Sequence, residues 1–147
     1  MSRLWKFAGC LLLCYSCLSS ARAACVITEQ AMLYAGPGTE YDKTSWSLSR
    51  FTPLRVFNTW NDWYQVKDID GDSHWIHSKN ISTQVYCFSL KQDNTPLYDG
   101  PGDYYSQQRT GKKYESFYFG KRQGDWTQGT DGSDNAVWVK SDLVWVQ

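Results

Sequence analysis

The chain has 147 residues, 41% hydrophobic and 16% aromatic, and its 15 basic and 15 acidic side chains leave no formal net charge. That length fits one ordinary domain or two very small ones. The charge balance speaks against a nucleic-acid partner, which would call for a concentrated basic face, whereas Lys112-Lys113 and Lys121-Arg122 are the only adjacent basic pairs.

The chain opens with Arg3 and Lys6 ahead of the apolar run Phe7 to Leu18, followed by Ala21-Arg22-Ala23 with the small-x-small form of a signal-peptidase site. Residues 1–23 are therefore read as a secretory leader. The apolar run is well short of the roughly 20 residues that span a bilayer, so no membrane-spanning segment is expected. Cleavage would remove Arg3, Lys6 and Arg22 and leave 12 basic against 15 acidic residues, a formal charge of −3. Cys10, Cys14 and Cys17 would leave as well. Cys25 and Cys87 remain, in a compartment that permits disulfides, and are expected to pair; two free buried thiols are the alternative.

Past the leader the sequence repeats itself. Leu33 to Tyr41 reads LYAGPGTEY, and Leu97 to Tyr105, 64 positions on, reads LYDGPGDYY. At an offset of 63, Asp62, Trp63, Gln65, Asp68, Trp75 and Ser78 meet Asp125, Trp126, Gln128, Asp131, Trp138 and Ser141. Identities spread over nearly the whole unit mark a duplicated domain. The boundaries are read as 24–83 and 84–147, and a Cys25–Cys87 bridge would staple the copies at equivalent places.

Each unit reads as a string of short strands. Leu54 to Phe57 and Phe117 to Phe119 are rich in β-branched and aromatic residues, and Trp63 to Val66 leads through Asp68-Ile69-Asp70-Gly71 to His74–His77 as a hairpin. Asp70-Gly71 and Asp131-Gly132 suit its tight turn. Gly36-Pro37-Gly38 places permissive φ angles around a locked one, the mark of a sharp loop. No window after the leader has helical apolar spacing, so the fold class is all-β.

These residues carry a family resemblance. Leu33-Tyr34, Gly36-Pro37-Gly38 and Tyr41, then an apolar strand, Trp63, an Asp-Gly turn, Trp75-Ile76 and a closing Ile81 resemble the bacterial Src-homology-3-type domain, SH3b. The second unit is similar through Trp126, Asp131-Gly132, Trp138-Val139 and Val144. The resemblance implies two tandem small SH3-like β-barrels, and it implies peptidoglycan or its peptide stems as ligand. In both copies the sequence departs from the family where a Gly usually precedes the third strand, around Phe51-Thr52 and Tyr114-Glu115. In unit two, Thr127 and Gly129 also stand where unit one has Tyr64 and Val66.

The inventory for catalysis is thin. His74 and His77 are the only histidines and, three apart on a strand, point to opposite faces, so they do not share a metal. The acidic run from Asp68 to Asp72 lacks the spacing of an EF-hand loop. No cofactor, metal or catalytic residue is expected, and the protein is read as a non-enzyme. What remains is recognition. Tyr and Trp combine an apolar body with a polar tip, which suits stacking on sugars and holding peptides. Trp75 and Trp138 are assigned to the core. Tyr34, Tyr41 and Trp63, with Tyr98, Tyr105 and Trp126, are the candidate ligand-binding residues beside the two loops, joined by Asp68 and Asp131 as hydrogen-bond acceptors. The expectation is a secreted or periplasmic binding protein for the cell wall; the alternative is an envelope adaptor that uses the same aromatic groove for a protein partner.

Overall fold

The computed structural model describes residues 21–147. The leader read over residues 1–23 lies outside that span except for its last three positions, of which Arg22 and Ala23 begin the first strand opposite Val56 and Arg55. Unit one contains β1 (Arg22–Val26), β2 (Gln30–Tyr34), β3 (Lys43–Ser49), β4 (Pro53–Trp60), β5 (Trp63–Lys67), β6 (Ser73–His77) and β7 (Ile81–Ser82). Unit two contains β8 (Cys87–Leu90), β9 (Thr95–Tyr98), β10 (Gln107–Gly111), β11 (Ser116–Gln123), β12 (Trp126–Thr130), β13 (Ala136–Lys140) and β14 (Val144–Trp145). Among the described residues the only helical pieces are 3-10 turns, at Ser78–Asn80 and Ser141–Leu143.

The strand order is β3-β2-β6-β5-β4-β1-β7 in the first sheet and β10-β9-β13-β12-β11-β8-β14 in the second. Adding seven to each label of the first gives the second, so the duplication seen in sequence is a duplication of topology. Both units are small SH3-like barrels. Period-2 alternation fills each interior: Ala31 and Leu33, Leu54 and Val56, Val66 and Ile76 close the first core. Phe88, Leu90, Leu97, Phe117, Val137 and Val139 close the second. Trp75 and Trp138, read from the sequence as core, alternate with the core residues Ile76, Val137 and Val139, so both lie on the outer face of their strands, Trp75 half-buried and Trp138 covered in part by the Lys121 ammonium.

The turns show why their residues are there. Gly71 and Gly132 have φ of 87° and 95°, a left-handed conformation that glycine adopts at no steric penalty. Asp68 precedes the first turn and its carboxylate accepts from the amides of Asp70 and Asp72, both at 3.0 Å. In the second turn Asp131 accepts from the Ser133 hydroxyl at 2.6 Å and the Ser133 amide at 2.9 Å. Those bonds, the hydroxyl's first, hold the Asp131 carboxyl below the usual carboxylate range.

The Gly-Pro-Gly loops work otherwise than the sequence implies. None of Gly36, Gly38, Gly100 and Gly102 has positive φ. They are needed for close approach: a Cβ at Gly36 would overlap the Tyr41 ring, and one at Gly100 the Tyr105 ring. The two loops share their hydrogen bonds, with Gly38 N–H donating to Gly36 O and Gly102 N–H to Gly100 O, each at 3.0 Å.

The units meet reciprocally. Cys25 of β1 and Cys87 of β8 form a disulfide, though not between equivalent positions: Cys25 lies opposite Pro53 and Ser82 as Ser89 lies opposite Ser116 and Trp145, so the counterpart of Cys25 is Ser89 and the bridge is displaced from the matched places the sequence implies. Phe51 packs with both cysteines, and Val85 lies against this cluster. Its ring reaches Tyr118 at 5.9 Å between centroids and lies 3.6 Å from the Cβ position of Gly132 in unit two's hairpin turn. Tyr114, the equivalent of Phe51, does the converse: its hydroxyl donates to Asp70 in unit one's hairpin turn at 2.7 Å, beside a Lys113–Asp70 ion pair at 3.1 Å. Residue meeting partner turn, in both directions, is the pattern of a two-fold relation. Gln147 ties the chain end into the seam by donating to the carbonyl of Ala24.

Phe51 and Tyr114 share a further property, φ of 65° and 71°. For a bulky L-residue this conformation brings Cβ against the following carbonyl. These are the two places where SH3b domains usually carry glycine. The strain is held because each ring reaches across the seam.

Candidate functional site

Two aromatic clusters occupy equivalent places. At the ends of β2 and β5, Tyr34 meets Trp63 edge to face with centroids 5.1 Å apart. At the ends of β9 and β12, Tyr98 meets Trp126 in the same way at 5.2 Å. Each Trp opens its strand after a turn clamped by the 3-10 segment, Ser78 N–H donating to Asp62 O and Ser141 N–H to Asp125 O, both at 2.8 Å. Each Trp is 9% exposed, so it forms the floor of its cluster.

A polar group sits over each floor. The His77 ring lies 5.2 Å from Trp63, and the Lys140 ammonium lies 5.7 Å from the Trp126 centroid. Lys140 also pairs with Asp103 at 3.2 Å. On unit two this builds a cavity of about 350 Å³ lined by Trp126, Lys140, Asp103, Asp125, Ser141 and Asp142. It combines an aromatic edge with acids, a hydroxyl and one cation, a set that takes up hydroxyls and amides of a polar ligand.

The loop residues differ between the copies. Tyr41 and Tyr105 stand over Gly36 and Gly100 and are 45% and 39% exposed. Tyr105 is joined by Tyr104, 84% exposed, with ring centroids 4.6 Å apart; Glu40 holds the matching place in unit one. Tyr104, as acceptor from the neutral Tyr105 hydroxyl and then through its own charge when ionised, holds the Tyr105 hydroxyl pKa above its ordinary value. Unit two thus offers a broad neutral aromatic platform, and unit one a single Tyr beside a carboxylate.

The structure brings Tyr34 to Trp63 and Tyr98 to Trp126, with Tyr41 and Tyr105 on the adjoining loops. It does not bring Asp68 or Asp131 to them. Both lie at the far end of the β5–β6 and β12–β13 hairpins, where they organise the turns. His77 and Lys140 are the site residues that sequence reasoning passed over. They fall opposite one another at the offset of 63, next to the matched Ser78 and Ser141, and that alignment held the signal. Among the described residues no three His, Cys, Asp or Glu side chains converge as metal ligands, and no helix is long and apolar enough to cross a membrane.

Residues 28–83 match the bacterial SH3 domain. The match covers unit one from the start of β2 through β7, the span that holds Tyr34, Tyr41 and Trp63. Three solved structures are similar at low identity. NlpC1 from Trichomonas vaginalis is 11% identical, with 90% of this chain and 48% of that chain covered and a TM-score of 0.39. NlpC2 from the same organism is 9% identical, with 88% and 49% covered and a TM-score of 0.37. The CBD of endolysin LysPBC5 is 18% identical, with 86% and 94% covered and a TM-score of 0.33. The chain spans about half the length of the two NlpC proteins. No curated protein matches it. In unit one, which carries the match, and in its SH3-like repeat, the aromatic clusters sit at the same end of the barrel, beside the Gly-Pro-Gly loop.

Proposed function

We propose that the chain is a non-catalytic binding protein of the cell envelope or its exterior that recognises peptidoglycan or its peptide stems through the Tyr34–Trp63 and Tyr98–Trp126 clusters. One observation carries the reading: the same Tyr-on-Trp pair, capped by His77 or Lys140, is built twice beside the same loop. The bacterial SH3 match over residues 28–83 supports the wall as the class of target. The disulfide supports an oxidising compartment, as outside the cytoplasm. Held at a fixed spacing, two such clusters gain from effective concentration wherever a polymer presents repeating sites.

The test is co-sedimentation of the oxidised protein with purified peptidoglycan sacculi. Tyr41→Ser with Tyr105→Ser removes exposed rings without opening a core. Trp63→Phe with Trp126→Phe, checked for a native spectrum, alters the floors. Pelleting of the wild type that both double variants weaken is expected. Absence of pelleting, or pelleting indifferent to both pairs, would retire the wall reading.

A further inference from the structure

The reciprocal packing of the two units leaves a groove of about 400 Å³ along the seam, at the other end of the β5–β6 hairpin from the Tyr34–Trp63 cluster. One wall is β3, which contributes four consecutive residues, 46 to 49. Successive strand residues point to opposite faces, so four in a row can border one groove only along the backbone edge of the strand. β3 is the terminal strand of its sheet and has no neighbour on that side. Trp46 projects from it, 43% exposed, with its ring set edge-on to His74 at 5.3 Å. Tyr114 of unit two stands on the opposite wall.

The charge of the groove is acidic and unevenly spent. Asp70 is taken by Lys113 and Tyr114. Asp68 is engaged by two turn amides, with its second oxygen 3.9 Å from His74 Nε2. Asp72 also lines the groove, is exposed, and its carboxylate has no hydrogen-bond or ion-pair partner among the described residues. An open strand edge, an exposed indole and an unpaired carboxylate within one groove select an extended chain that carries an ammonium group.

We infer that this seam groove is a second binding site, distinct from the aromatic clusters, for an extended peptide segment of a protein partner that adds to the β3 edge and directs a lysine side chain to Asp72 across Trp46. Main-chain hydrogen bonds to β3 supply the attachment and the ammonium–carboxylate pair supplies the selection. The site exists only while the two units are docked, because Tyr114 and Ser89 of unit two form its far side.

The experiment uses the disulfide-intact protein, isotope-labelled, titrated with the capped peptide acetyl-Thr-Val-Lys-Val-Thr-amide. A second peptide replaces Lys with norleucine, and a third replaces both Val residues with Pro to remove strand donors. The expected result is movement of the amide signals of residues 46–49 and of the Trp46 indole by the Lys peptide. Affinity should be about three- to fivefold weaker for the norleucine peptide and for Asp72→Asn, the scale of one partly screened ion pair. The Pro peptide should not bind, and added salt should weaken the Lys peptide. Equal binding of the Lys and norleucine peptides, or signals that move at Tyr34 and Trp63 in place of β3, would overturn the inference. Asp72→Asn is a surface change that leaves the fold intact, and sacculus pelleting should be indifferent to it, so failure here and failure of the wall reading are separable.

Discussion

Replacing Phe51 and Tyr114 by glycine should give unequal readings at equivalent positions of the two units. Both residues hold left-handed φ, and an L-residue there costs about 1–2 kcal/mol that glycine recovers. Part of the gain, about 0.5–1 kcal/mol, is offset because glycine has more conformational freedom to lose on folding. What separates the sites is the side chain. Phe51 is 7% exposed in the cluster with Cys25 and Cys87, and emptying such a site costs about 3–5 kcal/mol. Phe51→Gly should therefore destabilise the protein by about 2–4 kcal/mol net. Tyr114 is 48% exposed, so it loses only about 1 kcal/mol of burial and about 1 kcal/mol for the hydrogen bond to Asp70. Tyr114→Gly should stay within about 1 kcal/mol of wild type. Urea unfolding of the oxidised protein, followed by tryptophan fluorescence, measures both. Equal losses would refute the claim that burial at the seam, and not the backbone alone, decides the residue at these positions.

Reduction of Cys25–Cys87 opens a loop set by a sequence separation of 62, and chain entropy puts its contribution at up to about 4 kcal/mol; unfolding with and without reductant should show a loss approaching that, and no change would mean the seam holds without the bond. The Tyr114 hydroxyl and then the Lys113 ammonium hold the Asp70 carboxyl below its ordinary value, so the unfolded chain binds the extra proton and stability from this clamp is present above about pH 4 and lost as pH falls through the lowered value. The stability gap between wild type and Asp70→Asn, small for so exposed a pair, should thus close between pH 6 and pH 2, and a constant gap would contradict it. Gly129→Val should cost about 1–3 kcal/mol because a side chain there overlaps Phe88 and Phe117, and Phe88→Val should restore most of the loss in the double variant; additive losses would show that the two positions do not share one space.

The repeat, the strands and the hairpin turns were legible because they rest on local rules. Alternation in Leu54 to Val56 and the Asp-Gly pairs state their own geometry, and the identical strand order in both units follows from the matched identities. The substitutions between copies were not legible, since their reasons lie across the core. Gly129 stands in place of Val66 because Phe88 and Phe117, stacked 5.3 Å apart, fill the volume that Ala24, Leu54 and Val66 share in unit one. Thr127, fully buried where Tyr64 is not, is satisfied by the Ser141 hydroxyl at 2.8 Å. The loop glycines are identifiable in the sequence but φ does not explain them; close approach of Tyr41 and Tyr105 is what requires Gly36 and Gly100. At the site, Tyr34 with Trp63 was visible as paired aromatics in a repeated frame. Asp68 and Asp131 are near Trp63 and Trp126 in sequence but a full strand away in space, a distance that spacing along the chain conceals. The seam groove had no signal at all, because Trp46 and Tyr114 line it from opposite units.

The disulfide joins the first strands of the two units at neighbouring, inequivalent positions, while the ring-to-turn contacts beside it are reciprocal. A surface that fits its own duplicate is self-complementary, so one unit standing alone would present a face suited to pairing with a second copy of itself. Covalent duplication then converts a concentration-dependent association into an intramolecular one and frees the halves to diverge. Glu40 against Tyr104 and His77 against Lys140 are divergences of that kind, in which one ancestral surface has become two unequal ones on a shared frame.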